Sequence, residues 1–409
     1  MKSLIILKGL AKTEKKKWVK NEKLDSHFLD IDVFRKIYST PELVKPEVEI
    51  LNRSCSNLVH QRFMEALIIR LGKGNLVVVD MNEDPVGTVE TLAMIFGYTV
   101  FYYVQSIPQD YYNNAKKYSL YWQASKKKSD LENDVKNFLN LQLNDKLLIN
   151  SYSDVLNYWE KEEVVIKLKS KHDILHISDI HSNWSLWSDA ISKQKSKIVI
   201  HHGDYIDGPV VGGSRKIMNE IIKDSGKNGW YWLEGNHEIR LRKYLGWVML
   251  SSFGSSKTVT DLLYTMIPEE FLNTTAKEFS DLTALDCKKW LQELNKKLNS
   301  HIIIIRDSET YICTHAGLRL LEQLSPKHIG SVMYGGRDID RQDKEFSSRN
   351  INTRITSIHA HCKYPNDWSI CKYKKVINID PEDNTEIIIL ENNINNINYV
   401  KNSYQSCSK

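Results

Sequence analysis

Short apolar runs in the first 150 residues alternate with longer stretches of helical character. The runs predict buried strands, and the stretches predict helices at residues 56–71 and 88–96. Because strands that alternate with helices are typical of a mostly parallel sheet, we predict an α/β domain over residues 1–150. The predicted strands of this domain cover residues 4–7, 26–29, 76–80 and 99–104.

A second pattern begins near residue 151 and continues to residue 391. Apolar runs again predict strands, and the polar residues 306–309 predict a tight turn between two of them. Residues 247–300 interrupt the runs with helical sequence, which predicts an insertion that caps one side of an active site. Residues 392–409 are rich in Asn and Ser and predict a frayed tail. The predicted strands cover residues 173–177, 197–201, 230–233, 301–305, 310–314, 353–358, 375–379 and 386–390.

Composition supports this division into two domains. With 409 residues, the chain is longer than one ordinary core accommodates. The hydrophobic fraction of 41% and the charged fraction of 26% are typical of a soluble globular protein. No apolar run approaches the roughly 18 residues of a membrane span, and the run at 4–7 is too short for a signal-peptide core. Six scattered cysteines form no CxxC pair, so we expect reduced thiols and a cytoplasmic protein.

The net charge of +5 is modest, but basic residues cluster near residues 12–17 and 116–128. Such clusters are usually solvated faces. The second cluster is interleaved with Tyr and Trp, so nucleic-acid binding stays open as an alternative.

Five polar segments stand out because each follows a predicted strand. They are Asp179-Ile180-His181, Gly203-Asp204-Tyr205-Ile206-Asp207, Gly235-Asn236-His237-Glu238, Thr314-His315-Ala316-Gly317 and His359-Ala360-His361. Together they offer carboxylate, amide and imidazole ligands, which suit hard-to-borderline divalent cations. Two such cations held roughly 3.5–4 Å apart form a clamp for phosphoryl transfer to water. The segments therefore predict a binuclear metal site.

Two residues in these segments suggest proton transfer rather than metal binding. His237 directly follows the ligand candidate Asn236 and is therefore expected in the same cleft. An Asp207–His237 pair would keep the imidazole protonated and oriented, as donation of a proton to a leaving oxygen requires.

The order of the five segments resembles the calcineurin-like metallophosphoesterase family over residues 173–391. The family signature is Asp-x-His, Gly-Asp-x-x-Asp, Gly-Asn-His-Asp/Glu, a lone His and a final His segment. The resemblance implies a β-sandwich of two sheets flanked by helices. The implied ligands are Asp179, His181 and Asp204 for one metal ion, and Asp204, Asn236, His315 and either His359 or His361 for the second.

Two departures from the family pattern leave alternatives open. No Gly precedes His359, so the segment fits either a form with two histidine ligands or the one-histidine form of protein phosphatases, in which His361 is the ligand. Protein Ser/Thr phosphatases carry Arg-Gly after the second motif, where Gly208-Pro209 stands here. That Arg contacts substrate phosphate, so its absence disfavours a protein substrate. Arg337 is another source of positive charge, with a surface role as the competing interpretation.

Residues 4–18 read LIILKGLAKTEKKKW, a strand followed by Gly9 and a lysine-rich helix start. Gly9 and Lys15 fit the spacing of a phosphate-binding P-loop, but Glu14 replaces its second Gly and Lys16 replaces its Ser/Thr. Asp32 lies where polynucleotide kinases, which this domain resembles, carry the base for the attacking 5′-hydroxyl. The resemblance implies a degenerate kinase-like domain with a parallel sheet and little or no kinase activity.

A kinase-like domain followed by a calcineurin-like phosphatase resembles the bacterial RNA-repair kinase-phosphatases. The resemblance implies a phosphoesterase that removes 2′- or 3′-phosphates or 2′,3′-cyclic phosphates, with nucleic-acid ends or nucleotides as partners and no membrane. We expect two divalent metal ions, with Mn²⁺ favoured over Fe, Zn or Ni. The alternatives are a protein Ser/Thr phosphatase, a hydrolase of small nucleotides and a nucleic-acid-binding scaffold with both sites silent.

Overall fold

Contacts between residues divide the chain, in the computed structural model, into two units. The first unit comprises residues 2–161 and 255–262, and the second comprises residues 162–254 and 263–409. The structure describes residues 2–9, 12–38, 42–45, 48–50, 56–80, 87–105, 146–168, 173–193, 198–208, 210–224, 226, 229–254, 257–318, 320–325, 327–330, 339–360, 376–379, 386–390 and 397–401.

A five-stranded parallel sheet forms the centre of the first unit. The strands of this unit are β1 (Lys2–Lys8), β2 (Phe28–Asp30), β3 (Glu42–Lys45), β4 (Val48–Ile50), β5 (Val77–Asp80), β6 (Tyr98–Val104) and β7 (Leu147–Ile149). The sheet has the order β2-β5-β1-β6-β7, whereas β3 and β4 form a separate antiparallel pair. The helices are α1 (Lys12–Asn21), α2 (Ile31–Tyr38), α3 (Ser56–Gly72), α4 (Thr88–Ile95) and α5 (Tyr152–Glu162).

The middle strand β1 is buried along its whole length, as expected for a parallel strand covered on both faces. The α/β pattern predicted for this part of the chain is therefore confirmed. Tyr152 and Val155 of α5 join the core cluster that contains Ile5 and Val78. Because α5 packs on this core, the first unit extends past the boundary predicted at residue 150.

Two sheets form the framework of the second unit. Its strands are β8 (Val165–Leu168), β9 (Ile174–Ile177), β10 (Ile198–His201), β11 (Trp230–Leu233), β12 (Leu298–Asn299), β13 (His301–Arg306), β14 (Glu309–Thr314), β15 (Ile355–His359), β16 (Val376–Asn378), β17 (Glu386–Leu390) and β18 (Ile397–Lys401). One sheet has the order β12-β11-β10-β9-β17-β18, and the other has the order β16-β15-β14-β13-β8.

The two sheets pack face to face. Ile200 and Leu233 of the first sheet lie in one buried cluster with Ile304, Cys313 and Ile358 of the second. A core made from the inner faces of two sheets is the arrangement of a β-sandwich. The turn predicted at residues 306–309 joins β13 to β14, which pair antiparallel.

Helices lie between the strands of this part of the chain and in the predicted insertion. They are α6 (Trp184–Lys193), α7 (Gly213–Lys223), α8 (Asn236–Ser252), α9 (Lys257–Thr265), α10 (Glu269–Asn273), α11 (Ala284–Lys297) and α12 (Ile339–Asn350), with a 3-10 turn at Thr275–Phe279. Residues 257–262 of α9 belong to the first unit. Within the described residues, no helix combines the length and apolarity needed to cross a membrane.

The prediction of a frayed tail at residues 392–409 needs correction. Residues 397–401 of that segment form β18, which pairs antiparallel with β17 and places Tyr399 opposite Ile388. The polar composition of the segment suggested fraying. Backbone hydrogen bonds to the edge of a sheet hold a polar strand equally well.

Candidate metal centre

Parallel strands bring the first three motifs to one edge of a sheet. Strands β9, β10 and β11 are neighbours and run in the same direction, so their carboxyl ends lie side by side. Asp179 follows β9, Asp204 follows β10 and Asn236 follows β11. The topology therefore explains why residues far apart in sequence meet at this edge.

His315 reaches the same place from the other sheet. It follows β14, and its Nε2 atom lies 3.4 Å from Oδ1 of Asp204 and 3.1 Å from Oδ1 of Asn236. Its Nδ1 atom lies 2.5 Å from the backbone oxygen of His202. A donor Nδ1–H held by a carbonyl leaves Nε2 available to a metal ion, which is how metal-ligating imidazoles are usually oriented.

His181 and His237 complete a cluster around Asp204. One ligand atom from each of these three residues lies within 4.8 Å of the other two. Nε2 of His237 is 3.6 Å from Oδ2 of Asp204, and Nε2 of His181 is 3.8 Å from Oδ1 of Asp179. Burial lowers the pKa of His181, which favours the neutral ring that metal binding requires.

The loops of the cluster are held in a sparsely populated backbone conformation. Positive φ values occur at the non-glycine residues Asp179 (47°), His181 (42°), Ser182 (66°), Asp204 (52°) and Asp207 (64°). The two loops hydrogen-bond to each other, with the N–H of His181 donating to the backbone oxygen of Asp204 at 3.0 Å. Strained residues that cluster in this way are characteristic of functional sites.

Glycines allow the backbone to approach the cluster. A Cβ atom on Gly203, whose φ is +91°, would lie 2.7 Å from Nδ1 of His315. A Cβ atom on Gly235 would lie 2.3 Å from Oδ1 of Asp204. Both positions therefore require glycine, which explains the Gly-Asp and Gly-Asn pairs in the sequence.

Gly208 also has no room for a side chain. A Cβ atom there would lie 1.7 Å from the backbone oxygen of His181. Ser182 also contacts Gly208, because its Oγ accepts the N–H of Gly208 at 3.0 Å. An arginine at position 208 is thus incompatible with the packing of these two loops.

His237 and Asp207, for which proton transfer is predicted, lie in contact with each other. Nδ1 of His237 lies 3.1 Å from Oδ2 of Asp207, and its Nε2 faces Asp204. Burial alone raises the pKa of the Asp207 carboxyl, but hydrogen bonds from His237 and Arg240 outweigh it, and the pKa lies below its ordinary value. An ionised Asp207 is suited to hold a protonated His237.

The final histidine segment is described only in part. Nε2 of His359 lies 3.0 Å from Oδ2 of Asp343, and its Nδ1 lies 3.1 Å from the backbone oxygen of Ala360. The N–H of Ala360 donates to the backbone oxygen of His315 at 2.9 Å, so the segment passes beside the cluster. This arrangement favours the one-histidine alternative, in which His359 is a neighbour of the ligand. His361 and Arg337 lie outside the described residues.

In the first unit, the predicted nucleotide-site residues Gly9 and Lys15 follow β1, whereas Asp32 follows β2. Gly9 has a φ of +146°, and Lys15 in α1 is fully buried with its Nζ 2.5 Å from Oδ1 of Asp80. Asp32 is the second residue of α2, and its Oδ1 accepts Nη1 of Arg35 at 2.6 Å. Lys15 and Asp32 are therefore both paired with opposite charges.

Three residues of the centre were not predicted. Glu238 accepts backbone N–H groups from Asp204, Tyr205 and Gly235. Arg240 binds Asp207 one helical turn after His237, a spacing that the sequence could have signalled. Thr275 donates to Oδ1 of Asp207 at 3.1 Å, and no local pattern in the sequence indicates that contact.

Residues 172–391 match the model of the calcineurin-like phosphoesterase family. Because the match covers more than half of the chain, the chain belongs to this family and is a metal-dependent hydrolase. No match to a curated protein was found.

Solved structures that are similar to the chain include the following two. One is a protein serine/threonine phosphatase from Saccharomyces cerevisiae with similarity to human phosphatase PP5. It is 13% identical, with 64% of this chain and 89% of that chain covered and a TM-score of 0.34. The other is a metallophosphoesterase from Sphaerobacter thermophilus. It is 17% identical, with 54% and 84% covered and a TM-score of 0.31.

Proposed function

We propose that this phosphoesterase acts on nucleic-acid ends and hydrolyses 2′- or 3′-phosphates or 2′,3′-cyclic phosphates. The observation that carries the proposal is the unit that precedes the phosphoesterase. It contains a parallel sheet, and its central strand β1 is followed in sequence by Gly9 and by the helix with Lys15, an order that resembles a nucleotide-binding domain. Such a neighbour supports a nucleic-acid substrate.

The donor set fits two divalent cations. Asp179, His181 and Asp204 would hold one, and Asp204, Asn236, His315 and His361 would hold the other. The oxygen and imidazole donors suit Mn²⁺, Fe, Zn or Ni, of which we favour Mn²⁺. When bound, the cations supply Lewis acidity at the phosphate ester and lower the pKa of a water molecule.

The chain's own residues complete the chemistry. His237 is placed to give its Nε2 proton to the leaving oxygen as the P–O bond breaks, and Asp207 fixes the ring through Nδ1. The helix α8 begins at Asn236, so its positive end lies at the cluster, where the N–H of His237 donates to Oδ1 of Asp204 at 3.1 Å.

The competing function is a protein Ser/Thr phosphatase. Two sequence motifs favour it, Gly-Asp-Tyr-x-Asp and Gly-Asn-His-Glu. Those enzymes use an Arg at the position of Gly208 to bind substrate phosphate. Here a Cβ atom at that position would overlap the backbone oxygen of His181. The exclusion of that Arg supports a different substrate class.

We further propose that the first unit binds ends without transferring phosphate. Lys15 is neutralised by Asp80, and Lys16 lies 2.6 Å from Oδ2 of Asp30. Both lysines are therefore already paired with carboxylates, which supports a unit that does not transfer phosphate. The carboxylate of Asp32, the candidate base, is engaged by Arg35.

The test is a substrate panel with Mn²⁺ that compares RNA oligonucleotides and phosphopeptides. We expect phosphate release from a 3′-phosphate end or opening of a 2′,3′-cyclic end, and loss of both activities in His237→Ala. Good hydrolysis of phosphopeptides with none of either RNA end would refute the proposed substrate. Transfer of ³²P from ATP to a 5′-hydroxyl end would separately refute the inactive kinase.

A further inference from the structure

Both oxygens of the Asp207 carboxylate are engaged by residues outside the five motifs. Oδ1 accepts the hydroxyl of Thr275 at 3.1 Å. Oδ2 is shared by Nδ1 of His237 and by Nη1 of Arg240, which forms a very short contact. Nη1 of Arg240 also lies 3.3 Å from Nδ1 of His237. The carboxylate is therefore fixed from three sides.

Thr275 belongs to the helical insertion, and the insertion is anchored close to Asp207. Three residues after Thr275, the carboxylate of Glu278 accepts the N–H of Gly212 at 2.9 Å and the N–H of Arg215 at 2.8 Å. These are N–H groups at the start of α7, which have no partner within their own helix. The guanidinium of Arg215 also lies over the ring of Trp290 at 4.8 Å. These contacts give Thr275 a fixed position relative to Asp207.

Fixing Asp207 matters because its terminal torsion is soft. The χ2 angle of an aspartate is broadly distributed, so one hydrogen bond to His237 would not set the direction of the imidazole. Thr275 on one oxygen and Arg240 on the other define the plane of the carboxylate. That plane in turn determines where Nε2 of His237 points.

We propose that Thr275 and Arg240 are positioning residues that act through Asp207 on His237, so that the helical insertion controls proton delivery to the leaving group. The inference rests on the proposed role of His237 as proton donor, and it does not depend on whether the substrate is RNA. A proton donor matters most for a poor leaving group, whereas p-nitrophenolate departs with little protonation. Faulty positioning should therefore depress hydrolysis of phenyl phosphate selectively.

The test compares Thr275→Val and Thr275→Ser on phenyl phosphate and p-nitrophenyl phosphate with Mn²⁺. For Thr275→Val we expect kcat on phenyl phosphate to fall roughly 3- to 10-fold, because one hydrogen bond is lost. The kcat on p-nitrophenyl phosphate should change less than about 2-fold. Thr275→Ser retains the hydroxyl and should recover wild-type kcat. Thr274→Val is the matched control, because that hydroxyl donates to the backbone oxygen of Glu270 in the preceding helix α10.

Arg240→Gln should show the same selectivity, and Arg240→Lys should restore only part of the rate because Lys lacks the planar fork. Arg349→Gln, at an exposed pair with Glu345, is its control. Bound Mn²⁺ per chain should match the wild type in all variants.

Equal losses on both substrates, or a loss of bound metal, would overturn the positioning role and indicate a structural one. His237→Ala separates this inference from the proposed function. If His237→Ala shows the leaving-group selectivity and Thr275→Val does not, the positioning inference alone fails. If His237→Ala shows no leaving-group selectivity, the proton-donor role of His237 and the positioning inference both fail.

Discussion

Replacing Glu238 by Gln is predicted to loosen the loops that carry Asp204 and Asn236. The buried Glu238 carboxylate accepts N–H groups of Asp204 at 3.0 Å and Gly235 at 2.9 Å on one oxygen, and of Tyr205 at 2.9 Å on the other. A Gln oxygen can keep the first two bonds, but its NH₂ group then faces the third N–H. One unsatisfied buried N–H costs about 1–3 kcal/mol, and we expect a local destabilisation of that size.

Hydrogen–deuterium exchange measures this loss where it occurs. For peptides that cover residues 203–207, about 1–3 kcal/mol corresponds to roughly 5- to 150-fold faster exchange. Glu293→Gln is the matched control, because that carboxylate pairs with Lys296 on an exposed helix face. Exchange within about 3-fold of the wild type in Glu238→Gln would refute the reasoning.

Three further predictions concern other parts of the chain. Gly208→Arg should lose bound Mn²⁺, measured by elemental analysis, because the new Cβ overlaps the backbone of His181; retained metal with new phosphopeptide hydrolysis would contradict this. Burial lowers the pKa of His201 to about 3, so this residue alone should lower the unfolding free energy by about 1.4 kcal/mol for each unit that the pH drops below about 6.5. In urea titrations at a series of pH values, His201→Phe should reduce the slope of unfolding free energy against pH by the amount expected for one proton. An unchanged slope would be evidence against this role of His201. Lys15→Met should destabilise the first unit by about 3–5 kcal/mol, because it leaves Asp80 buried without its cation; calorimetry showing no loss would count against that pair.

The sequence indicates much of the centre because its ligands follow recognisable strands. The apolar runs before Asp179, Asp204 and Asn236 have the length of buried strands. Parallel pairing of β9, β10 and β11 then brings their ends together. His315 was predictable in the same way, since it follows the buried β14. Residues that follow neighbouring parallel strands can thus be predicted to share one site, even when they are far apart in sequence.

Contacts that depend on packing could not be read from local pattern. Thr275 and Asp207 are 68 residues apart, and nothing near Thr275 marks it as part of a site. Similarly, His359 and His361 are spaced like residues on one face of a strand, so their spacing leaves the ligand undecided. Asp343 on α12 engages His359, and the position of that helix follows from tertiary packing.

The most direct test of the metal centre is a Mn²⁺ titration of the metal-stripped enzyme, with bound metal and hydrolysis of p-nitrophenyl phosphate measured in the same samples. We predict that the wild type binds two ions per chain and that activity rises with the second. Asp204→Asn, which removes the proposed bridging carboxylate, should lose at least one ion and roughly 100-fold or more in rate. Two ions still bound with wild-type activity in Asp204→Asn would contradict the account.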